Sequence, residues 1–341
     1  MGILDWFKNR PSQFDPDRVS DEMTLRAIDK AVSLTNPCLK LVPDYQERLS
    51  HGAGTSVRFI RDLVLSLPPA IKISTANWSN EPALRAFFVA AEDIPSTLGQ
   101  SNSLRTLFDK FPGLDEAYFI LVMKFNEQRV LGMSLHGDIV QRDVAQTIVG
   151  FSEHQVRICG HEDSEIRRLL GAQAFEYLVA QALSEIGEDR SERRELADNR
   201  ELIRARLRLL RQQGPGLGSI FGSAPVNSGI MLKLESELLE NEREIEALGS
   251  PQSALLAELE ALREVLEQPD RYLHGEQKSL RLSTLNAVLD ENSTDAGSNV
   301  EFSVARLAGV PQIERAFVMA HFSRADMPPT RMDFEKAARY L

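Results

Sequence analysis

The clearest periodicity in the chain is a heptad pattern of mostly apolar residues that runs from Met231 to Leu266. Its steps alternate between three and four residues, which places the side chains on one stripe of a helix that pairs with another helix. The stripe consists of Met231, Leu234, Leu238, Asn241, Ile245, Leu248, Gln252, Leu255, Leu259, Leu262 and Leu266. A shorter apolar stripe lies upstream at Leu196, Ile203, Leu207 and Leu210. We therefore predict an antiparallel helical hairpin, a coiled-coil arm, over residues 163–279.

The segment between the two helices predicts a tip loop at residues 214–229, because it is rich in glycine, proline and serine. Charge favours pairing of the flanking helices. Residues 188–213 hold eight arginines and six acidic residues, whereas residues 229–270 hold three basic and eleven acidic residues. Gly187 and the segment 249–251 predict breaks in the two helices at one level of the hairpin.

The rest of the pattern predicts an α+β fold. Helical spacing dominates residues 1–112, a helical N-terminal region with separate helices near 43–50 and 55–67. Short β-branched and aromatic runs follow, and they return near the C-terminus. The predicted strands are 117–125, 130–136, 147–151, 155–159, 281–289, 300–307 and 313–322, with 139–146 open between strand and helix. We expect residues 113–162 and 280–341 to share one antiparallel sheet, into which the hairpin is inserted.

Composition restricts the classes of function. The chain has 341 residues, enough for about two domains. Its formal net charge of −11 argues against a general affinity for phosphate backbones. The two cysteines, Cys38 and Cys159, are too few for a disulfide framework or a four-cysteine zinc site. No catalytic or nucleotide-binding motif rises above chance, and we predict no cofactor.

The N-terminal sequence bears on location. It lacks the charged start, apolar core and cleavage site of a secretion signal, and no apolar run approaches the roughly 18 residues of a membrane span. We therefore expect a cytoplasmic protein. Residues 1–8 predict a short amphipathic helix that either packs its aromatic residues on the body or makes a weak membrane contact.

The first candidate site is the tip of the hairpin. Leu217, Ile220 and Phe221 are apolar residues in a glycine-rich loop. A few buried aromatic and aliphatic residues often dominate a protein interface, so these three predict an anchor for a partner. The alternative is that they only cover the end of the hairpin.

The second candidate is a set of metal-binding or catalytic residue types near the predicted sheet edge. The set comprises His136, Asp138, His154, Cys159, His161 and Asp163. Residues two apart share a face of a strand, which is the spacing of Cys159 and His161. Such side chains hold zinc or form a nucleophile–base pair, although neither spacing is an established zinc motif.

The third candidate is an arginine stripe at helical spacing. It consists of Arg193, Arg200, Arg204, Arg208 and Arg211. Such a stripe is able to follow a nucleic-acid backbone. However, no aromatic residues for base stacking lie among these arginines, and an acidic helix is predicted beside them.

Together these patterns favour a non-catalytic cytoplasmic interaction or scaffolding protein that binds a protein partner through the hairpin and its tip. Homodimerisation through the same heptad is a variant of this hypothesis. The alternatives are a metal-dependent or Cys/His hydrolase with its site near His136–His161, and an adaptor that binds nucleic acid through the arginine stripe. The residues match no family motif.

Overall fold

The computed structural model describes residues 21–136, 139–212, 227–248, 250–290, 295–308 and 313–328, without the side chains of 132–142, 211, 212, 227, 228 and 251. These residues form a mixed α+β fold, which confirms the predicted class. The chain divides into two compact units. The described residues of 58–175 and 270–328 form what we call the sheet unit, and those of 21–57 and 176–269 form the helical unit.

Helices account for most of the described chain. They are α1 (Asp21–Thr35), a 3-10 helix (Pro37–Leu41), α2 (Tyr45–Ser66), α3 (Pro82–Phe87), α4 (Asp93–Gly99), α5 (Asn102–Lys110), α6 (Asp163–Gln212), α7 (Asn227–Ala247), α8 (Pro251–Glu267), α9 (Pro269–Tyr272) and a second 3-10 helix (Arg324–Asp326). Ser250 caps α8 by accepting a hydrogen bond from the Ser253 amide, and Pro251 takes the first helical position. This confirms the predicted break between α7 and α8.

Two helices are more continuous than the sequence suggests. The predicted helices near 43–50 and 55–67 are one helix, α2, and Gly187 does not interrupt the 50-residue α6. Gly52 in α2 serves close packing instead of a break. A Cβ atom at Gly52 would lie 3.1 Å from the Arg263 carbonyl oxygen of α8, so the two helices approach closely at this point.

Within the described ranges, the strands form one six-stranded sheet. They are β1 (Ile71–Ile73), β2 (Glu116–His136), β3 (Ile139–Gly160), β4 (Leu273–Leu282), β5 (Ser298–Leu307) and β6 (Ile313–Ser323). The order is β3-β2-β6-β5-β4, and β1 pairs in parallel with β6. Strands from the middle and the end of the chain therefore share one largely antiparallel sheet. The short β1 was not predicted, and β4 begins at Leu273, before the expected boundary at 280.

A long antiparallel ribbon is formed by β2 and β3, which have 21 and 22 residues. The predicted strands are continuous across 126–128 and across 152–154, so neither segment separates two strands. Residues 126–128 pair with 148–150, and Ser152 pairs with Lys124. The ribbon is irregular at three register shifts. At each shift β3 has a residue with positive φ, namely Asp143, Glu153 or Ile158. The polar residues that suggested a gap at 152–154 thus mark a β-bulge.

Alternate residues of β2 point to opposite faces of the sheet, and each face is covered. Phe119 and Leu121 belong to a large core shared with α3, α4 and α5. Ile120 faces the other way and packs with Leu67, at the end of α2, and with Ile166 of α6. The N-terminal part of β2 is therefore buried on both faces.

The core of the helical unit comes from one side of each helix. Buried apolar residues include Ile28 and Val32 of α1, Leu49 of α2, and Leu262 and Leu266 of α8. These spacings of three to four residues are those of one helical face. Ser56 also donates a hydrogen bond to the Leu266 carbonyl oxygen at 2.6 Å, which ties α2 to the C-terminal turn of α8.

Candidate functional site

Among the described residues, the apolar seam between α6 and α7 has a small core. Ile203 and Leu207 of α6 are buried against Leu234 of α7, and Leu210 and Leu238 pack beside them. These residues belong to the two stripes that the heptad pattern predicts. The expected partner anchor at the tip, Leu217, Ile220 and Phe221, lies outside the described residues.

Arginines along α6 are engaged with α7 and α8. Arg190 binds Glu258 of α8, Arg193 donates to the Leu248 carbonyl oxygen at 2.5 Å, and Arg204 donates to Glu242 at 2.8 Å. Arginines later in the sequence bind partners that are earlier in the sequence, so α6 runs antiparallel to the α7–α8 segment.

The other arginines of the predicted stripe are Arg200, Arg208 and Arg211. Arg200 lies 3.6 Å from Glu201, Arg208 is exposed, and the side chain of Arg211 is outside the described part of the chain. Arg193 and Arg204 therefore act within the helical unit, and the nucleic-acid hypothesis stays a prediction.

Glu258 joins three elements of the helical unit. Its carboxylate accepts two hydrogen bonds from Arg190, at 2.7 and 2.8 Å, and one from Asn36 at 2.6 Å. Burial opposes ionisation of Glu258, but the hydrogen bonds from Arg190 and Asn36 outweigh it and hold the pKa below its ordinary value. This bidentate pair holds α6 against α8.

Both hairpin helices also carry leucines that the seam leaves exposed. Leu202 and Leu209 of α6 are 50% and 58% exposed, and Leu232 and Leu239 of α7 are 68% and 53% exposed. Each pair is seven residues apart, the spacing of a helical stripe that packs against another helix. Since water is a poor environment for these side chains, the stripes are candidate contact surfaces.

The histidine and cysteine candidates are dispersed among local partners. His154 binds the Phe87 carbonyl oxygen at 2.8 Å and stacks on Phe88, and burial lowers its pKa. Cys159 packs against the large core, and burial raises the pKa of its thiol to about 12, which disfavours the reactive thiolate.

The metal hypothesis gains no support from the described residues, since no three His, Cys, Asp or Glu side chains among them are grouped to hold an ion. His136 ends β2, but its side chain lies outside the described part of the chain, as does Asp138. Asp163 binds Arg167 at 2.7 Å. The complete set therefore stays a prediction.

His161 belongs to a different cluster at one end of the sheet. Its amide donates to Glu165 at 2.7 Å, and its Nδ1 lies 3.0 Å from the same oxygen. Glu165 approaches so closely over Gly160 that a Cβ atom there would lie 2.7 Å from the carboxylate. Burial opposes ionisation of Glu165, but the hydrogen bonds from His161 outweigh it and lower its pKa.

Strand register places further ionisable side chains beside this pair. Gly160 of β3 is paired with Tyr118 of β2, Tyr118 with His321 of β6, and His321 with Lys72 of β1. Paired residues point to the same face, and neighbouring strands are about 4.8 Å apart, so these positions form one row across the sheet. We call them the sheet-end row.

Glu116 binds two members of the sheet-end row. It accepts a hydrogen bond from Lys72 at 2.7 Å and lies 3.1 Å from Nδ1 of His321, whose ring stacks on Tyr118. The Lys72 hydrogen bond is the main cause of its lowered pKa. When Nδ1 of His321 donates to Glu116, Nε2 keeps a lone pair, as in a general base oriented by a carboxylate.

The sequence analysis did not predict the contacts of the sheet-end row or the exposed leucine stripes of the hairpin. Lys72 lies on a three-residue strand whose only signal is the alternation of Ile71, Lys72 and Ile73. Glu116 and His321 are more than two hundred residues apart, and only strand pairing joins them. The exposed leucines did have a signal, a spacing of seven outside the seam.

Comparison with protein-family models, with curated proteins and with solved structures finds no match for this chain. Among the described residues, no helix is both long enough and apolar enough to cross a membrane.

Proposed function

We propose that this chain is a non-catalytic interaction or scaffolding protein of the cytoplasm that binds a protein partner through the α6–α7 hairpin. The observation that carries the proposal is the pair of exposed leucine stripes, Leu202 with Leu209 and Leu232 with Leu239. Full burial of a leucine contributes about 1.5–3 kcal/mol, and roughly half of each side chain remains to be buried.

The distribution of exposed apolar residues supports this assignment. Among the described residues, ten of the fifteen large apolar side chains that are exposed lie in the helical unit. Scattered exposed leucines are ordinary on a protein surface, but repeated helical spacing indicates a helix-binding surface. The tip residues Leu217, Ile220 and Phe221 are proposed as a further anchor at the end of the same hairpin.

The test is affinity capture from lysate with stripe variants. We expect L202Q/L209Q and L232Q/L239Q to lose partners that the unaltered chain captures. The matched control is L131Q/L285Q in the sheet unit, where the two leucines are 72% and 81% exposed. Partner lists that are identical for all variants would refute the proposal.

A second candidate function is hydrolysis at the sheet-end row. The specific observation is that two histidine–carboxylate pairs, His321–Glu116 and His161–Glu165, lie at one end of the sheet. We expect H321N to abolish hydrolysis of ester, amide or phosphoester substrates, and H274N, at an exposed histidine of β4, to retain it. Equal rates for H321N and the unaltered chain would reject this function.

A further inference from the structure

The seam positions of α6 and α7 match one another when the two helices run antiparallel. On α6 the steps are three, four, three, four and three residues, through Arg193, Leu196, Arg200, Ile203, Leu207 and Leu210. On α7, read from its C-terminal side, the same steps run through Leu248, Ile245, Asn241, Leu238, Leu234 and Met231. Each α6 position therefore faces the α7 position of the same rank.

Hydrogen bonds and packing establish this register. At one end of the seam, Arg193 donates to the Leu248 carbonyl oxygen at 2.5 Å. Beside the seam, Arg204 donates to Glu242 at 2.8 Å, and these are flanking positions of the same register. Toward the tip, the facing positions form one apolar cluster, which consists of Ile203, Leu207, Leu210, Leu234 and Leu238.

This register places two polar seam residues opposite each other, Arg200 of α6 and Asn241 of α7. Asn241 is 4% exposed, and neither of its amide atoms has a hydrogen-bond partner among the described residues. The same holds for the buried Nε of Arg200, which lies 3.6 Å from Glu201, beyond hydrogen-bond distance. An amide oxygen accepts and Nε–H donates, so the two groups are complementary. We call this pair the polar layer.

The main competitor of this register is a slip of α7 along α6 by one heptad, about 10 Å at 1.5 Å per residue, because such a slip preserves the seam. In one direction Asn241 would face Leu207, and Arg200 would face Leu248. In the other direction Arg200 would face Leu234. Every such slip places at least one group of the polar layer against a leucine, which offers it no complementary group.

We propose that the polar layer determines the register of the α6–α7 hairpin. The apolar seam residues do not discriminate between registers, because leucine and isoleucine pack on one another in either alignment. A polar residue at a seam position specifies register at a cost in stability. This inference concerns the alignment of the hairpin itself and goes beyond the proposed function.

The size of the discrimination follows from polar burial. A buried polar group without a partner disfavours a state by about tenfold or more, so the slip that separates both groups is disfavoured by about a hundredfold. In N241L, Arg200 faces a leucine both in the native register and after that slip. The preference that the polar layer provides is then lost.

The experiment measures the register of the full chain as the distance between nitroxide labels at R208C and R243C, by pulsed electron paramagnetic resonance in a C38S background. Both label positions are exposed. Cys159 remains, but it packs against the large core and its thiol pKa is raised to about 12, which disfavours labelling. A one-heptad slip changes the axial offset of the two labels by about 10 Å.

We expect a single distance for the chain with native seam residues and for the matched control N199L, a change at an exposed position of α6. N241L should add a second distance in about a tenth or more of the molecules, because exposed ion pairs such as Arg204–Glu242 leave only a weak preference. The exchange variant R200N/N241R keeps a facing polar pair and should return to a single distance. Circular dichroism establishes that each variant is helical.

Two results would overturn the proposal. A single distance in N241L would show that the remaining contacts suffice to fix the register. A second distance in R200N/N241R as abundant as that in N241L would show that a facing polar pair gives no discrimination. If N241L does not fold, R200L removes the other group of the polar layer and provides the same test. Lysate capture by the leucine stripes is measured separately, so failure of this inference leaves the proposed function standing.

Discussion

Replacement of Asn241 by leucine should stabilise the helical unit. Asn241 lies in the heptad stripe of α7 and is only 4% exposed. Neither its amide nitrogen nor its amide oxygen has a hydrogen-bond partner among the described residues. The position is therefore a polar gap in the apolar seam, and N241L fills it with the residue type that the surrounding heptad uses.

The size of the effect follows from three contributions. A buried polar group without a partner costs about 1–3 kcal/mol, which N241L removes. Burial of a leucine side chain contributes about 1.5–3 kcal/mol, and imperfect packing of the new branched side chain costs about 1–3 kcal/mol. We expect a net gain of about 2 kcal/mol in the free energy of unfolding.

Urea denaturation followed by circular dichroism measures this gain as a higher midpoint at unchanged slope. The matched control is N199L, the same change at an exposed position of α6, which should shift the free energy of unfolding by no more than about 0.5 kcal/mol. A midpoint for N241L at or below that of the unaltered chain would show that the amide is satisfied in solution and that the gap is not a defect.

Other predictions concern the carboxylates, a glycine and a histidine. Because the folded pKa of Glu258 lies below its ordinary value, its contribution to the free energy of unfolding is complete above about pH 4.5 and is lost as the pH falls. We expect E258Q to lower the free energy of unfolding at pH 7 by about 1 kcal/mol, after allowance for the exposed Arg190. An unchanged free energy would contradict the stabilising role of the Arg190–Glu258 pair. G160A should displace the Glu165 carboxylate and lower the free energy of unfolding by about 1–2 kcal/mol. The control G150A, on the same strand, places its Cβ atom where no atom lies within 4 Å and should be neutral. Equal melting temperatures of the two variants would refute the role of Gly160. Since burial lowers the folded pKa of His154, the sheet unit should lose stability as the pH falls below about 6.5. H154Q should therefore reduce the dependence of the free energy of unfolding on pH between about pH 5.5 and 7.5. An unchanged pH dependence would assign it to other groups.

The sequence predicts the elements whose signal is local and repeated. The heptad at Leu234 and Leu238 predicts the α6–α7 seam, because apolar residues that repeat about every 3.5 positions over many residues are characteristic of paired helices. Ser250 and Pro251 likewise predict the start of α8, since capping and proline preferences act within one turn. Both features depend on residues close together in the chain.

Features that depend on distant packing could not be predicted. Gly52 resembles a helix breaker until the close approach of the Arg263 carbonyl oxygen is known. Residues 126–128 resemble a turn until their pairing with β3 is known. The Lys72–Glu116–His321 contacts require a parallel strand of three residues, which is too short for a periodicity. Local propensity is outweighed at each of these places by tertiary contacts.

The hairpin also shows why arginine spacing alone does not indicate a nucleic-acid site. Arg193 and Arg204 fall at the spacing of a phosphate-binding stripe, yet they bind the Leu248 carbonyl oxygen and Glu242. A phosphate would have to replace these contacts, including a charge-assisted bond at the C-terminal end of α7, where a cation is favourable. Helical spacing alone therefore does not distinguish a phosphate-binding stripe from arginines that join two helices of one chain.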